Sequence, residues 1–193
     1  MSYFFSADLH AFHRNIIKYA RRPFNSVEEM NETILKNWNS RVKSGDNVYI
    51  IGDVSFGHPD ETESFIKKLN GNLFLVKGNH DRVLRGSLTR HFEWVKDLAE
   101  ITVPDVDHPR GKQKIVMCHY AMKVWNQSHY GSWHCYGHSH GTLPDDPNSL
   151  SMDVGVDCNN FFPFSYEEIK NHMSKKTFVP ADRHGRYKNS HYE

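Results

Sequence analysis

Five short apolar runs punctuate this chain, at residues 2–7, 47–52, 73–78, 114–118 and 133–137. Runs of this length, bounded by glycine or polar residues, read as buried strands. Between the first two, Val27, Met30, Ile34, Leu35, Trp38 and Val42 recur near helical spacing. With Ser26 and Glu29 as a capping box, they predict an amphipathic helix over residues 26–42. Asp60 and Glu63 mark a second helix start, with Phe65, Ile66 and Leu69 on its buried face. Ser165 and Glu168 mark a third, which carries Ile169 and Met173. The early order of strand, helix, strand, helix, strand predicts an α/β architecture. Further runs near 94–103 and 151–156 make the second half strand-rich, which predicts a second sheet packed on the first with helices outside. Residues 104–113 and 142–149 are polar and read as loops. From Ser174 the chain is polar and basic, with Lys175, Lys176, Arg183, Arg186 and Lys188. The expectation is a domain over residues 1–173 and a solvated tail over 174–193.

Composition narrows the function classes. The chain has 193 residues, 38% of them hydrophobic and 13% aromatic, enough for a sizeable core and against disorder. Its formal net charge of +1 lacks the basic excess of a non-specific nucleic-acid binder. Three cysteines, at 118, 135 and 158, contain no C-x-x-C pair and read as reduced thiols. The first residues lack a basic segment followed by a long apolar one, so they read as a strand rather than a signal peptide. No stretch approaches the length of a membrane-spanning helix. A cytoplasmic location is the expectation.

The apolar runs share one further property: each leads into a residue that can bind a metal. Residues 2–7 run into Asp8-Leu9-His10, residues 47–52 into Asp53, and residues 73–78 into Asn79-His80-Asp81. Residues 114–118 run into His119, and 133–137 into His138-Ser139-His140. Open α/β sheets place their sites beyond the carboxyl ends of their strands, so five strand ends can bring these side chains together. The fourteen histidines matter here because imidazole suits transition metals. Mixed nitrogen and oxygen donors without thiolate argue against a structural zinc site and favour manganese, iron, zinc, cobalt or nickel over calcium or magnesium. Asp8, His10, Asp53, Asn79, His119, His138 and His140 are too many for one catalytic ion and suit two that share a carboxylate. Paired ions about 3.5–4 Å apart can activate a water and stabilise in-line attack at phosphorus.

In order and spacing, Asp8-x-His10, Gly52-Asp53, Gly78-Asn79-His80-Asp81, His119 and Gly137-His138-Ser139-His140 resemble the five-block signature of calcineurin-like metallophosphoesterases. The resemblance implies a two-sheet α/β/β/α sandwich with a dinuclear site at one edge. It implies that Asp8, His10 and His140 hold one ion, that Asn79, His119 and His138 hold the other, and that Asp53 bridges them. Two divalent transition-metal ions would be the cofactors, manganese foremost. His80 would be the catalytic histidine, oriented by Asp81, and a metal-bridging hydroxide the nucleophile. The chain departs from the pattern at Phe56, where many members carry a second Asp, and at Cys118, where glycine or serine is more usual before the histidine. Arg22-Pro23-Phe24, Trp38-Asn39 and His119-Tyr120 bring it nearest to a small bacterial or phage-type subgroup.

Each block also has a plain reading. Asp8 with His10 could be a strand-end turn, Asp53 a cap, Asn79 a loop former, and His138 with His140 structural histidines. Only the ordered set favours ligation. His13 and Arg14 could touch substrate, though packing is favoured. Arg21 and Arg22 could clamp a phosphate or be solvated. Tyr120, Trp125 and His129 could stack on a base, with core or rim packing preferred. His91, His108, His172, His184 and His191 read as surface residues. The leading expectation is a metal-dependent phosphoesterase acting on a phosphomonoester or phosphodiester, with a nucleotide among the candidates. Its rivals are a nuclease for short DNA or RNA and a non-catalytic scaffold of the same fold. No membrane contact and no strong nucleic-acid binding are expected; a homodimer is a family-level guess. Substrate selection falls to the loops at residues 11–25, 120–132 and 142–150.

Overall fold

The computed structural model describes residues 1–84 and 86–181. Its first sheet is built from β1 (Tyr3–Ser6), β2 (Asn47–Ile51), β3 (Asn72–Val76) and β4 (Val95–Lys96), all parallel, with β9 (Phe164–Ser165) antiparallel on β1, in the order β4-β3-β2-β1-β9. The second sheet runs β5-β6-β7-β8. There β5 (Leu98–Pro104) is antiparallel to β6 (Lys112–Cys118), and β6, β7 (Trp133–Tyr136) and β8 (Ser151–Asp153) are parallel. A bridge between Ala7 and Gly155 stitches the two sheets just beyond the ends of β1 and β8. The result is a mixed α/β fold with two sheets.

The strands read as continuous apolar runs because β1 to β3 are covered on both faces. After the short α1 (Ile16–Tyr19) come the two helices that cover one face: Phe4, Val48, Ile50, Leu73 and Leu75 face Met30, Ile34 and Trp38 of α2 (Val27–Arg41) and Phe65 and Ile66 of α3 (Pro59–Ile66). Phe5, Tyr49, Ile51 and Val76 face the other way, joining Ile115, Met117, Cys135 and Met152 of the second sheet. Tyr166, Ile169 and Met173 of α4 (Tyr166–Met173) complete that cluster. Trp38, Phe5, Ile50 and Leu75 are almost wholly buried, and side chains of this kind each contribute about 1.5–3 kcal/mol on burial.

Register fixes where the strands end. Tyr3 lies opposite Asn47, and Asn47 opposite Asn72, so β1, β2 and β3 finish nearly level. Cys135 opposite Met117 and Tyr136 opposite Asp153 do the same for β6, β7 and β8.

The helix starts differ from expectation in detail. Ser26 accepts the Glu29 amide at 3.1 Å, but the Glu29 carboxylate reaches back to the Asn25 amide at 2.8 Å rather than to Ser26. α3 begins at Pro59, and Glu61 takes the His58 amide at 2.8 Å. Glu63 is therefore inside the helix, where it binds Lys67, Arg90 and His91. Ser165 and Glu168 form the expected reciprocal cap of α4.

Two longer-range expectations need correction. The run at 94–103 is not one strand: it breaks at Asp97, placing β4 in the first sheet and β5 in the second. The tail is not solvated from Ser174 onward. Thr177 and Val179 donate backbone bonds to the carbonyls of Pro147 and Asn148, each at 2.8 Å. Phe178 packs against the inter-sheet cluster, and the Lys176 ammonium binds the carbonyls of Asp146 and Ser151. Residues 182–193, with Arg183, His184, Arg186, Lys188 and His191, lie outside the described residues.

Candidate metal centre

The expected ligand positions all stand just past the carboxyl ends of parallel strands: Asp8 and His10 after β1, Asp53 after β2, Asn79 after β3, His119 after β6, His138 and His140 after β7. Five of these seven adopt left-handed backbone, with φ of 56° at Asp8, 51° at His10, 57° at Asp53, 69° at His138 and 48° at His140. Non-glycine residues rarely do so, and each instance costs about 1–3 kcal/mol. Such clustered strain persists where a site requires the side chains to turn inward. The glycines make the room. A Cβ on Gly78 would overlap the Asp53 carboxylate, and one on Gly52 would overlap the His119 ring.

Asp53 is the hub. Its Oδ2 lies 3.5 Å from His10 Nε2 and 3.5 Å from His119 Nε2, while its Oδ1 accepts the His80 amide at 2.9 Å. His119 donates from Nδ1 to the Ile51 carbonyl at 2.9 Å, which turns Nε2 toward Asp53 and to within 3.1 Å of Asn79 Oδ1. His140 donates from Nδ1 to Asp157 Oδ2 at 2.7 Å, leaving its Nε2 available to a cation. Asp8 accepts the His138 amide on Oδ2 at 2.8 Å. Two sets can each surround an ion, with donor atoms within 4.8 Å of one another: Asp8, His10 and His140, and Asp8, Asp53 and His119. The His138 side chain belongs to neither set; its ring lies 5.2 Å from that of His119 and 4.9 Å from that of Tyr120.

The donors fit cations on a physical test. Asp8 Oδ1 and His10 Nε2 are buried and make no hydrogen bond. A buried polar atom without a partner costs about 1–3 kcal/mol, which a shared cation would remove. Burial pushes the Asp8 carboxyl up to about 7. Burial also drives the His10 imidazole down to about 2, against the pull of Asp53. At His119, burial is outweighed by the bonds to Asp53 and the Ile51 carbonyl, which raise it to about 9. At Asp53 burial is likewise outweighed, by the His119 bond and the His80 amide, and the carboxyl is held below its usual range.

The chain matches the model of the calcineurin-like phosphoesterase superfamily domain over residues 1–151. It belongs to that superfamily. It is 31% identical over 180 residues to an uncharacterised protein of Methanocaldococcus jannaschii, covering 90% of this chain and 92% of that one. It is 27% identical over 178 residues to the gene 66 protein of Mycobacterium phage L5, covering 80% and 86% of the two chains. A solved protein of unknown function from Aquifex aeolicus shares the fold, with a TM-score of 0.65 at 22% identity over 89% of this chain and 98% of that one. No helix among the described residues is long and apolar enough to cross a membrane.

Within this calcineurin-like phosphoesterase domain, several residues do something other than expected. The Asp81 carboxylate accepts the amides of Asp53, Val54 and Gly78 at 2.8, 2.8 and 2.7 Å, and among the described residues no hydrogen bond joins it to the His80 ring. It clamps the β2 and β3 loops together rather than orienting that imidazole. Arg22 neither clamps a phosphate nor meets solvent. It is buried, pairs with both Asp157 oxygens at 2.8 Å, and donates to the carbonyls of Asp8 at 2.7 Å and Leu9 at 3.0 Å. Arg14 and Arg21 are exposed.

His13 does reach the site, with its Nδ1 3.1 Å from His10 Nδ1. Tyr120 stands on the rim, its hydroxyl 3.5 Å from Asn79 Oδ1, whereas Trp125 is buried and donates to the Ser132 carbonyl. His129 lies against Tyr130. His91 and His172 pair with Glu63 and Asp145, and His108 accepts the Arg110 amide.

The sequence reading missed Asp157, Asp153, Phe56 as a site contact, and Tyr19. Asp153 accepts the Gly141 and Gly155 amides and so steadies the loop that carries His140. The available signal was position alone: Asp153 closes β8, and Asp157 follows the short apolar run at 151–156 as the candidate ligands follow theirs.

Proposed function

We propose that this chain is a hydrolase that cleaves a phosphate ester at a dinuclear divalent-cation centre. Asp8, His10 and His140 would hold one ion, Asn79, His119 and His138 the other, with Asp53 shared. Manganese is the first choice of metal, with iron, zinc, nickel and cobalt also compatible with these donors. The observation that carries the reading is Asp53 Oδ2, equidistant at 3.5 Å from a nitrogen of His10 and a nitrogen of His119. When bound, two such ions would neutralise phosphoryl oxygens and acidify a water for in-line attack.

The chain's own residues do the rest. His80 is exposed at the mouth of the centre, and its amide is tied to the shared carboxylate. Its ring would stabilise the phosphoryl oxygen or give a proton to the leaving oxygen. Asp81 holds the loops on which Asp53 and His80 sit. Retention of His80 beside every ligand type favours catalysis over a non-catalytic scaffold.

Manganese-loaded protein is expected to hydrolyse 4-nitrophenyl phosphate or its bis-ester, and His80→Gln to lower kcat about 10²–10⁴-fold. Absence of turnover across both esters with each divalent ion, or full activity in both Asp53→Asn and His80→Gln, would overturn the proposal.

A further inference from the structure

Beside the centre, a cleft of about 640 Å³ opens on the side of His10, Asp53, His80 and His140. Its outer wall consists of His13, Ile16, Tyr19, Ala20, Phe56 and Thr142. Among the described residues, none that lines the cleft is Lys or Arg, so these residues supply no cationic clamp for a second phosphate. The wall is aromatic instead. His13 stacks on Phe56 with ring centres 3.8 Å apart and planes 14° apart, and Tyr19 meets His13 edge-on at 6.3 Å. Phe56 also lies 5.1 Å from the His10 ring and 4.7 Å from the His80 ring. Yet Tyr19 remains 73% exposed and Phe56 38% exposed. Open aromatic surface next to convergent polar groups marks a ligand contact. Because the floor of the cleft is the ligand cluster itself, its occupant would be a group attached to the phosphorus held there.

We propose that this cleft is a subsite for a planar aromatic substituent of the phosphate ester, with Tyr19 and Phe56 as the specificity-determining contacts. The inference rests on the phosphoester reading of the centre. The volume accepts either a simple aryl ring or a nucleobase, since clefts of about 300–1,000 Å³ enclose ligands of that size.

The test uses phosphonates, whose carbon–phosphorus bond replaces the scissile ester. Phenylphosphonate, a nucleoside phosphonate and methylphosphonate are titrated calorimetrically into the manganese-loaded full chain. At least one aromatic probe is expected to bind about tenfold more tightly than methylphosphonate, the scale of one ring contact. Tighter binding of the phenyl compound assigns an aryl substituent, and of the nucleoside compound a base; either supports the subsite. The preference should collapse in Tyr19→Ala, whose exposed ring can be removed without opening the core, and persist in Tyr19→Phe. Equal binding of all three probes, or an aromatic preference that Tyr19→Ala leaves intact, overturns the subsite. Ester turnover with equal phosphonate binding would sink the subsite alone, whereas absence of all turnover would sink the phosphoester reading beneath it.

Discussion

His140 shows how a single side chain is made available to a cation. Its Nδ1 proton is directed to Asp157, which fixes the tautomer and aims Nε2 at Asp8 and His10. Asp157 is in turn gripped on both oxygens by the buried Arg22, which also holds the backbone of Asp8. Asp157→Asn removes the charge from this chain and is expected to weaken one of two bound ions about 10–100-fold. A two-site calorimetric titration checks this; equal weakening of both ions, or of neither, would contradict it. Asp157 was not legible in the sequence because its partners are separated from it by 17 and 135 residues. No motif joins Arg22 to Asp157; the parallel bridge of Ala7 with Gly155 lays the chain after β1 beside the chain after β8 and brings them together. The five blocks were legible because each is local, a strand followed at once by its candidate ligand. Asp81 shows the reverse error: adjacent to His80 in sequence, it serves backbone amides across the loop.

Periodicity carried far at the level of elements. The apolar spacing over residues 26–42 gives α2 nearly to its ends, and the buried runs give β1, β2, β3, β6 and β7. It did not reveal the break at Asp97, because an apolar run looks alike whether it serves one sheet or crosses between two. It also missed the docking of residues 176–179, where a basic segment is held mainly by backbone bonds and one buried ammonium stem.

The anchor of α4 gives a test at this scale. Asp105, at the end of β5, accepts the Tyr166 hydroxyl at 2.6 Å and the Lys170 ammonium at 2.7 Å. Burial opposes its charge, but these bonds outweigh burial and hold its carboxyl at about 2, below the ordinary 3.8. A depressed carboxyl stabilises the fold above its ordinary value and loses that contribution as pH falls toward its folded value. Asp105→Asn is therefore expected to lower the urea midpoint at pH 7, with the gap to the parent protein closing between about pH 4 and pH 2. A gap that stays constant across that range would show that the carboxylate's charge contributes nothing.

Across the whole molecule, two sheets are stitched at Ala7 and Gly155 so that the carboxyl ends of both face a common edge. Neither sheet alone carries all seven candidate ligands: Asp8, His10, Asp53 and Asn79 follow the first, His119, His138 and His140 the second. The left-handed backbone at five of these positions is tolerated because the core beneath is fully packed on both faces of β1 to β3. The same edge carries the aromatic cleft.

The most direct measurement is the metal stoichiometry of the stripped protein titrated with manganese, repeated on Asp53→Asn. The account expects two ions per chain in the parent protein and the loss of tight binding at both positions once the shared carboxylate is removed. A single ion, no ion, or two ions bound equally well without Asp53 would contradict it.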